Sequence, residues 1–275
     1  MQDRSVICGK VIQHTRNPKV AVEMVQKLKH EGKVLGRQSH DHLLKYMGFF
    51  EDKSDPKKAM LLTEFCNGGN LDEFIHHHAV GGMKPEDIVR SLHQVSSALE
   101  YLHQGSLFHT DVKPKNIFIR CVKPFDVVLG DCADIQPRSY KGKLLGTRLF
   151  HSPQIVQRRA NCGPSDDVWA LGISALAMID MSPKVMYNVQ GPKRKDVNVD
   201  YDEYPARCGT HALSLRQVNK GNALVTAIQK MLELETAKRF RAINVRRAME
   251  GQLDKWEGKT LNITPPEGFQ QVEFW

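Results

Sequence analysis

His109-Thr110-Asp111-Val112-Lys113-Pro114-Lys115-Asn116 runs directly into the apolar stretch Ile117-Phe118-Ile119, and Val127-Val128-Leu129-Gly130-Asp131-Cys132-Ala133 follows shortly after. The apolar pieces read as two short strands around a turn. A polar loop therefore enters the first strand, and an acidic residue leaves the second. Asn116 and Asp131 sit at the two outer ends of that hairpin, close to a lysine and a second carboxylate.

Working outward, the chain changes texture around Cys66-Asn67-Gly68-Gly69-Asn70. Before it, Ser5 to Gln13, Leu43 to Phe50 and Ala59 to Phe65 read as strands. Pro18 to Gln38 reads as a helix with Val22, Val25, Leu28 and Leu35 on an apolar face. Gly32 and Gly36 weaken that helix by up to about 1 kcal/mol each relative to alanine. After it, Leu71 to His78 and Pro85 to Gln104 read as helices. The second places Ile88, Leu92, Val95, Leu99 and Leu102 at helical spacing. Beyond Pro164 the chain is mostly helical, and Val168 to Met181 is apolar enough to be buried all round. Gly258 to Trp275 reads as an extended tail. The expected architecture is α+β and bilobal: a reduced N-terminal β lobe over residues 1–66, with three strands and a helix, a mainly helical lobe over 67–257, and a tail over 258–275. A cleft between lobes is the expected ligand site.

Composition narrows the class further. The chain has 275 residues, 41% hydrophobic and 25% charged, with a net charge of +8. Those values are ordinary for a globular protein, and no apolar run approaches the ~18 residues of a membrane span. The start carries no apolar signal-peptide core. Cys8, Cys66, Cys121, Cys132, Cys162 and Cys208 are scattered without a C-x-x-C pair, which fits reduced thiols in an intracellular, cytoplasmic or nuclear protein. The basic residues are spread along the chain and no nucleic-acid module is recognisable, so nucleic acid is not an expected partner. His76-His77-His78 falls on consecutive helical positions that point in different directions, so an exposed helix end is expected there rather than a metal site.

The central stretch resembles the catalytic loop H-R-D-x-K-P-x-N of the eukaryotic-type protein kinase superfamily, Ser/Thr type, with Asp131-Cys132-Ala133 where that family has D-F-G. The resemblance implies ATP and Mg²⁺ as cofactors and a protein substrate or partner. It makes Asp111 the group that orients and deprotonates the attacking hydroxyl. Lys113 offsets charge on the moving phosphoryl group, and Asn116 and Asp131 supply hard oxygens to magnesium. Val6-Ile7-Cys8-Gly9-Lys10 resembles the strand of the V-A-I-K lysine, so Lys10 is expected on the α- and β-phosphates. Glu31, nine residues before His40, is its expected helix partner, with Glu23 as the alternative. Leu61 to Leu71 resembles the hinge. It implies base contacts from the backbone of Glu64 and Cys66, a gatekeeper at Thr63, ribose proximity for Asn70, and Phe118 beneath the adenine. Thr147, in Gly146-Thr147-Arg148-Leu149-Phe150-His151-Ser152-Pro153-Gln154, resembles the threonine that bridges the catalytic Asp and Lys in Ser/Thr kinases. Asp167 resembles the buried anchor of the catalytic loop, and Arg239 the late arginine.

Several positions depart from the family. Five residues before the first strand leave no room for the glycine-rich hairpin whose amides cradle phosphates. The chain is thus expected either to be a piece of a longer kinase or to work without that lid, with a non-catalytic scaffold as the alternative function. Thr110 stands where the family has arginine, Cys132 where it has phenylalanine, Ala133 where it has glycine, and Gln154 where a glutamate pairs with the late arginine.

Overall fold

The computed structural model describes residues 6–12, 17–55, 57–79, 81–140, 144–157, 163–182, 187–189, 197–199, 202–254 and 263–267. It opens with β1 (Ile7–Val11), α1 (Pro18–Leu35), β2 (Tyr46–Glu51) and β3 (Ala59–Glu64), the strands forming an antiparallel sheet in the order β1-β3-β2. Lys10 faces Leu61 across the β1–β3 ladder, and Cys8 faces Thr63.

The helix α1 starts where Asn17 accepts a hydrogen bond from the Lys19 amide at 3.0 Å, and Pro18 fills the first turn. Both features suit a helix N-terminus, where amides lack partners and a missing N–H costs nothing. Ala21, Val25, Leu28, Glu31, Gly32 and Leu35 form its buried stripe, so a carboxylate is carried inward among apolar neighbours. The helix ends three residues short of the expected Gln38. Arg37 and Gln38 turn back onto the carbonyls of Val34 and Leu35 at 3.1 and 3.0 Å, a tightening common at helix ends. The strand expected from Leu43 begins instead at Tyr46. Leu43, 4% exposed, makes a parallel bridge to Leu129, and the Leu44 amide donates to the Leu129 carbonyl at 2.9 Å. That segment stitches the sheet to the rest of the molecule.

After the hinge come α2 (Leu71–His78), α3 (Pro85–Gln104), β4 (Leu107–Phe108), β5 (Ile117–Val122), β6 (Phe125–Leu129), β7 (Gln136–Pro137), α4 (Pro153–Val156) and α5 (Pro164–Met178). Next are β8 (Tyr187–Val189), β9 (Val197–Val199), α6 (Tyr204–Val218), α7 (Ala223–Met231) and α8 (Ala242–Leu253). The hairpin β5–β6 is longer than its apolar core suggested, because Arg120 and Asp126 extend it with an ion pair at 2.9 Å. On α3, Leu92, Val95, Leu99 and Leu102 are fully buried, and on α5 so are Val168, Trp169, Leu171 and Leu176. One hydrophobic cluster runs from Val25 and Leu61 through Leu129 to Trp169 and Met249. The sheet and the helical part thus share a core, and the hinge loop lies where they meet.

His76, His77 and His78 form the exposed end of α2. Most of the expected tail lies outside the described residues. Within it, Thr264 exchanges two hydrogen bonds of 2.8 Å with the Asn219 side chain. No helix among the described residues is long and apolar enough to cross a membrane.

Candidate active site

Two clusters of the expected residues flank the same end of the β5–β6 hairpin, Asn116 just before β5 and Asp131 just beyond β6. The first is built on the loop between β4 and β5. Asp111, 8% exposed, accepts from Lys113 Nζ at 2.7 Å and Asn116 Nδ2 at 3.0 Å on Oδ2, and from Thr147 Oγ1 at 2.8 Å on Oδ1. Lys113 Nζ also donates to Thr147 Oγ1 at 2.8 Å. The threonine hydroxyl therefore accepts from the lysine and donates to the carboxylate. Burial disfavours charge on Asp111, but Lys113, Thr147 and Asn116 outweigh it and hold the carboxyl below its ordinary range.

The second cluster spans the two parts of the fold. Lys10 Nζ lies 2.8 Å from Glu31 Oε2 and 2.9 Å from Asp131 Oδ1. Glu31, not Glu23, is the carboxylate at the lysine. Burial, opposed by Lys10, raises the Glu31 carboxyl above its usual range. Lys10 is half exposed, so burial loses there to the attraction of Glu31 and Asp131, and the amine is also raised. Asp131 sits in the left-handed region at φ 55°, ψ 60°. That costs a non-glycine residue on the order of 1–3 kcal/mol when strained, and it turns the carboxylate toward Lys10. The clusters are joined through Gly130, whose amide donates to Asn116 O at 2.9 Å and whose carbonyl accepts from His109 Nε2 at 3.0 Å.

The backbone of the His109–Asn116 loop is held from below. Asp167, 2% exposed, accepts from the amides of His109 at 2.9 Å and Thr110 at 2.8 Å and from His103 Nε2 at 2.8 Å. Thr110 has φ 67°, unusual for a β-branched residue. Its hydroxyl donates to the Asp134 carbonyl at 2.8 Å, tying the loop to the segment after Asp131. Sequence reading treated Thr110 only as a lost arginine and did not find this tether. It also missed His103, whose role depends on a contact 64 positions away. Gly146, at φ 84°, passes so close to the loop that an added Cβ would lie 2.2 Å from Thr110 O, so no side chain fits beside Thr147.

The hinge residues form a third group. Thr63 is 6% exposed and donates to the Glu64 carbonyl at 3.2 Å. The Glu64 amide is already bonded to Lys45 O at 3.0 Å. Cys66 is half buried, and burial pushes its thiol up to about 12, which keeps it protonated and unreactive near neutrality. Asn70 Oδ1 accepts from the Glu73 amide at 3.0 Å as the N-cap of α2, so only its NH₂ end is left to reach outward. Phe118 bridges to Asn70, and Gly68 and Gly69 exchange backbone bonds with Ile119 at 3.0 and 2.9 Å.

Of the departures, Cys132 is fully buried in the core, where burial raises its thiol strongly. Arg239, 5% exposed, donates to Gln154 Oε1 at 2.8 Å, Glu233 O at 2.9 Å and Ser165 O at 3.1 Å, and lies 4.8 Å from the centre of the Trp169 ring. Burial lowers the guanidinium to about 10, against the opposing attraction of Asp166 and Glu233. Gln154→Glu makes the bond to Arg239 charge-assisted at the cost of the 2.7 Å bond from Gln154 Nε2 to Leu234 O, and is expected to stabilise the fold by about 1 kcal/mol net. A urea midpoint that fails to rise in the variant would reject this account.

A family model described as protein kinase domain matches residues 1–249. Serine/threonine-protein kinase ULK3 of Rattus norvegicus is 31% identical over 153 residues, 54% of this chain and 31% of that protein. Sperm motility kinase 2B of Mus musculus is 31% identical over 171 residues, 58% of this chain and 34% of that protein. Serine/threonine-protein kinase atg1 of Dictyostelium discoideum is 24% identical over 165 residues, 58% of this chain and 24% of that protein. The aligned part is about a third or less of each relative's length. The solved structure described as "Crystal structure of Rad53 kinase domain and SCD2" superposes with a TM-score of 0.64 at 18% identity, covering 89% of this chain and 82% of the other. At that identity it speaks to the fold alone, which is the α+β bilobal fold of kinases. A match of such length on such a fold leaves one assignment: the chain belongs to the protein kinase family.

Proposed function

We propose that the chain is an ATP-dependent protein serine/threonine kinase that transfers the γ-phosphoryl group to a protein hydroxyl. The observation that carries this reading is the threefold grip on Asp111 by Lys113, Thr147 and Asn116 beside the Lys10–Asp131 pair. An ionised carboxylate with a neighbouring lysine is what an incoming hydroxyl needs for orientation and proton acceptance. Asp111 takes that role. Lys113 holds it and offsets charge on the transferring group. Thr147 bonds to both side chains, an arrangement that argues for Ser or Thr hydroxyls as the acceptors.

Asn116 and Asp131 fit a magnesium ion brought in on phosphates. Both offer hard oxygens, Asp131 is partly exposed, and Asn116 spends its NH₂ group on Asp111. Magnesium commonly takes only one or two protein oxygens and completes its shell with phosphate and water. When bound it neutralises charge on the phosphate oxygens. Lys10 would be the residue to hold the α- and β-phosphates, with Glu31 behind it. On this reading Cys66 and Glu64 present backbone groups to the base, Thr63 closes the back of the pocket, Asn70 faces the ribose and Phe118 lies beneath the ring.

One observation favours a second reading, a scaffold with weak or no catalysis. Among the described residues β1 is paired on one edge only, and all five of its residues are exposed. Thermal unfolding with millimolar Mg-ATP separates the two readings. Saturation at about 100 times the dissociation constant is worth about 2.7 kcal/mol, so the kinase reading expects a clear rise in Tm that Asp131→Ala removes. It also expects transfer of labelled phosphate to a Ser/Thr substrate. An unmoved Tm with no transfer would leave the scaffold reading.

A further inference from the structure

The residue before Asp131 is the least expected feature of the cleft. Phe118 lies on β5 between Ile117 and Ile119, both fully buried. Strand alternation turns Phe118 to the other face, where it is partly exposed and bridges to Asn70 at the hinge. Gly130 follows the last residue of β6. A Cβ added there would lie 2.7 Å from Phe118 Cε2, 2.9 Å from Phe118 Cδ2 and 3.0 Å from Leu44 Cδ2. Distances under 3.0 Å are not tolerated by real side chains, so the ring edge fills the space a side chain at 130 would occupy.

The glycine is not there for its backbone. Gly130 is absent from the positive-φ residues. Its backbone is fixed at both ends by Asn116 O and His109 Nε2, so a clash at Cβ has to be relieved by the ring. The position is therefore left without a side chain for the benefit of residue 118.

From this complementarity we infer that Gly130 is a positioning residue that acts through Phe118. The empty position leaves the ring the space it occupies beside the hinge residue Asn70 and lets its exposed part serve as a base for a planar aromatic heterocycle such as a purine. The inference rests on the nucleotide reading of the cleft. Stacking of a base on an aromatic ring depends on the ring's tilt, and the contact carries about 1–3 kcal/mol per base. A methyl group at 130 tilts the ring and weakens the contact without touching the phosphate-facing groups Lys10 and Asp131.

The test uses two probes, adenosine and inorganic tripolyphosphate, on four proteins: wild type, Gly130→Ala, Phe118→Leu and the double variant. Dissociation constants come from calorimetry and urea midpoints from fluorescence. Gly130→Ala should weaken adenosine about tenfold and leave tripolyphosphate within about twofold. In the Phe118→Leu background, where a shorter side chain leaves room, the same alanine should cost adenosine nothing further. Such non-additivity is the signature of two residues in contact. Equal adenosine binding by wild type and Gly130→Ala overturns the inference, as does an equal loss in both backgrounds. A parallel loss of both probes also overturns it, since that marks a general distortion. Wild-type protein that binds neither probe overturns the nucleotide reading itself, and the inference with it. If Gly130→Ala does not fold, the double variant must, because the ring that clashes has gone; a double variant that also fails to fold overturns the inference.

Discussion

Asp111→Asn is expected to lower phosphoryl transfer by about 10²–10⁴-fold, the range associated with losing a positioned general base. The amide matches the carboxylate in size, so the fold should barely notice. Asn at 111 still accepts one bond from Lys113 or Thr147, but it carries no charge to draw a hydroxyl proton. Nucleotide affinity should stay within a few-fold, because the proposed metal oxygens come from Asn116 and Asp131. The loss then falls on kcat, and single-turnover measurement with saturating Mg-ATP separates it from weakened binding. A pH profile adds a second check. The Asp111 carboxyl is depressed by its three donors, so it stays ionised as pH falls through the ordinary aspartate value of about 3.9. Its share of the activity is present above that value and is lost only below it, where the fold permits measurement. Transfer that is unchanged in the variant would remove Asp111 from the reaction.

Much of the grouping of the candidate residues was legible because they are local in sequence. Asp111, Lys113 and Asn116 lie within one loop, and Ile117-Phe118-Ile119 announces the strand that fixes it. Strand and helix types followed from periodicity, and α2 and α3 took the ranges their apolar spacing and terminal residues gave. What was hard to read depended on long-range packing. The start of β2 moved to Tyr46 because Leu43 is claimed by Leu129, a partner no local pattern names. The fit of Gly130 to Phe118 requires a register across β5 and β6. The Thr110 hydroxyl looked like a loss when compared with an arginine, yet it spans 24 positions to Asp134. Side chains that bond to distant backbone leave no spacing signature, and composition cannot reveal them.

The same distinction governs stability, where one distant contact should dominate. Asp167→Ala is expected to cost about 3–5 kcal/mol, the scale for removing one partner from a buried charged network. Asp167 enters through the first turn of α5, whose neighbours Val168, Trp169 and Leu171 are fully buried, so the cavity cannot fill cheaply with water. Its two oxygens satisfy three donors, two of them backbone amides of the loop. Each amide left unpaired costs about 1–3 kcal/mol. Asn does not rescue the site, because its NH₂ end would face a backbone N–H with no oxygen to offer. The backbone at Thr110 is held at φ 67° by these same bonds, so their loss frees the loop to relax and Asp111 to move. Transfer should therefore fall together with the urea midpoint in Asp167→Ala, whereas Asp111→Asn lowers transfer alone. Glu235→Ala supplies the contrast: its ion pair with Lys238 is largely exposed, and such pairs are commonly worth less than about 1 kcal/mol. If Asp167→Ala cost no more than that surface change, the loop would owe its shape to its own sequence, and the anchoring role assigned to α5 would be wrong.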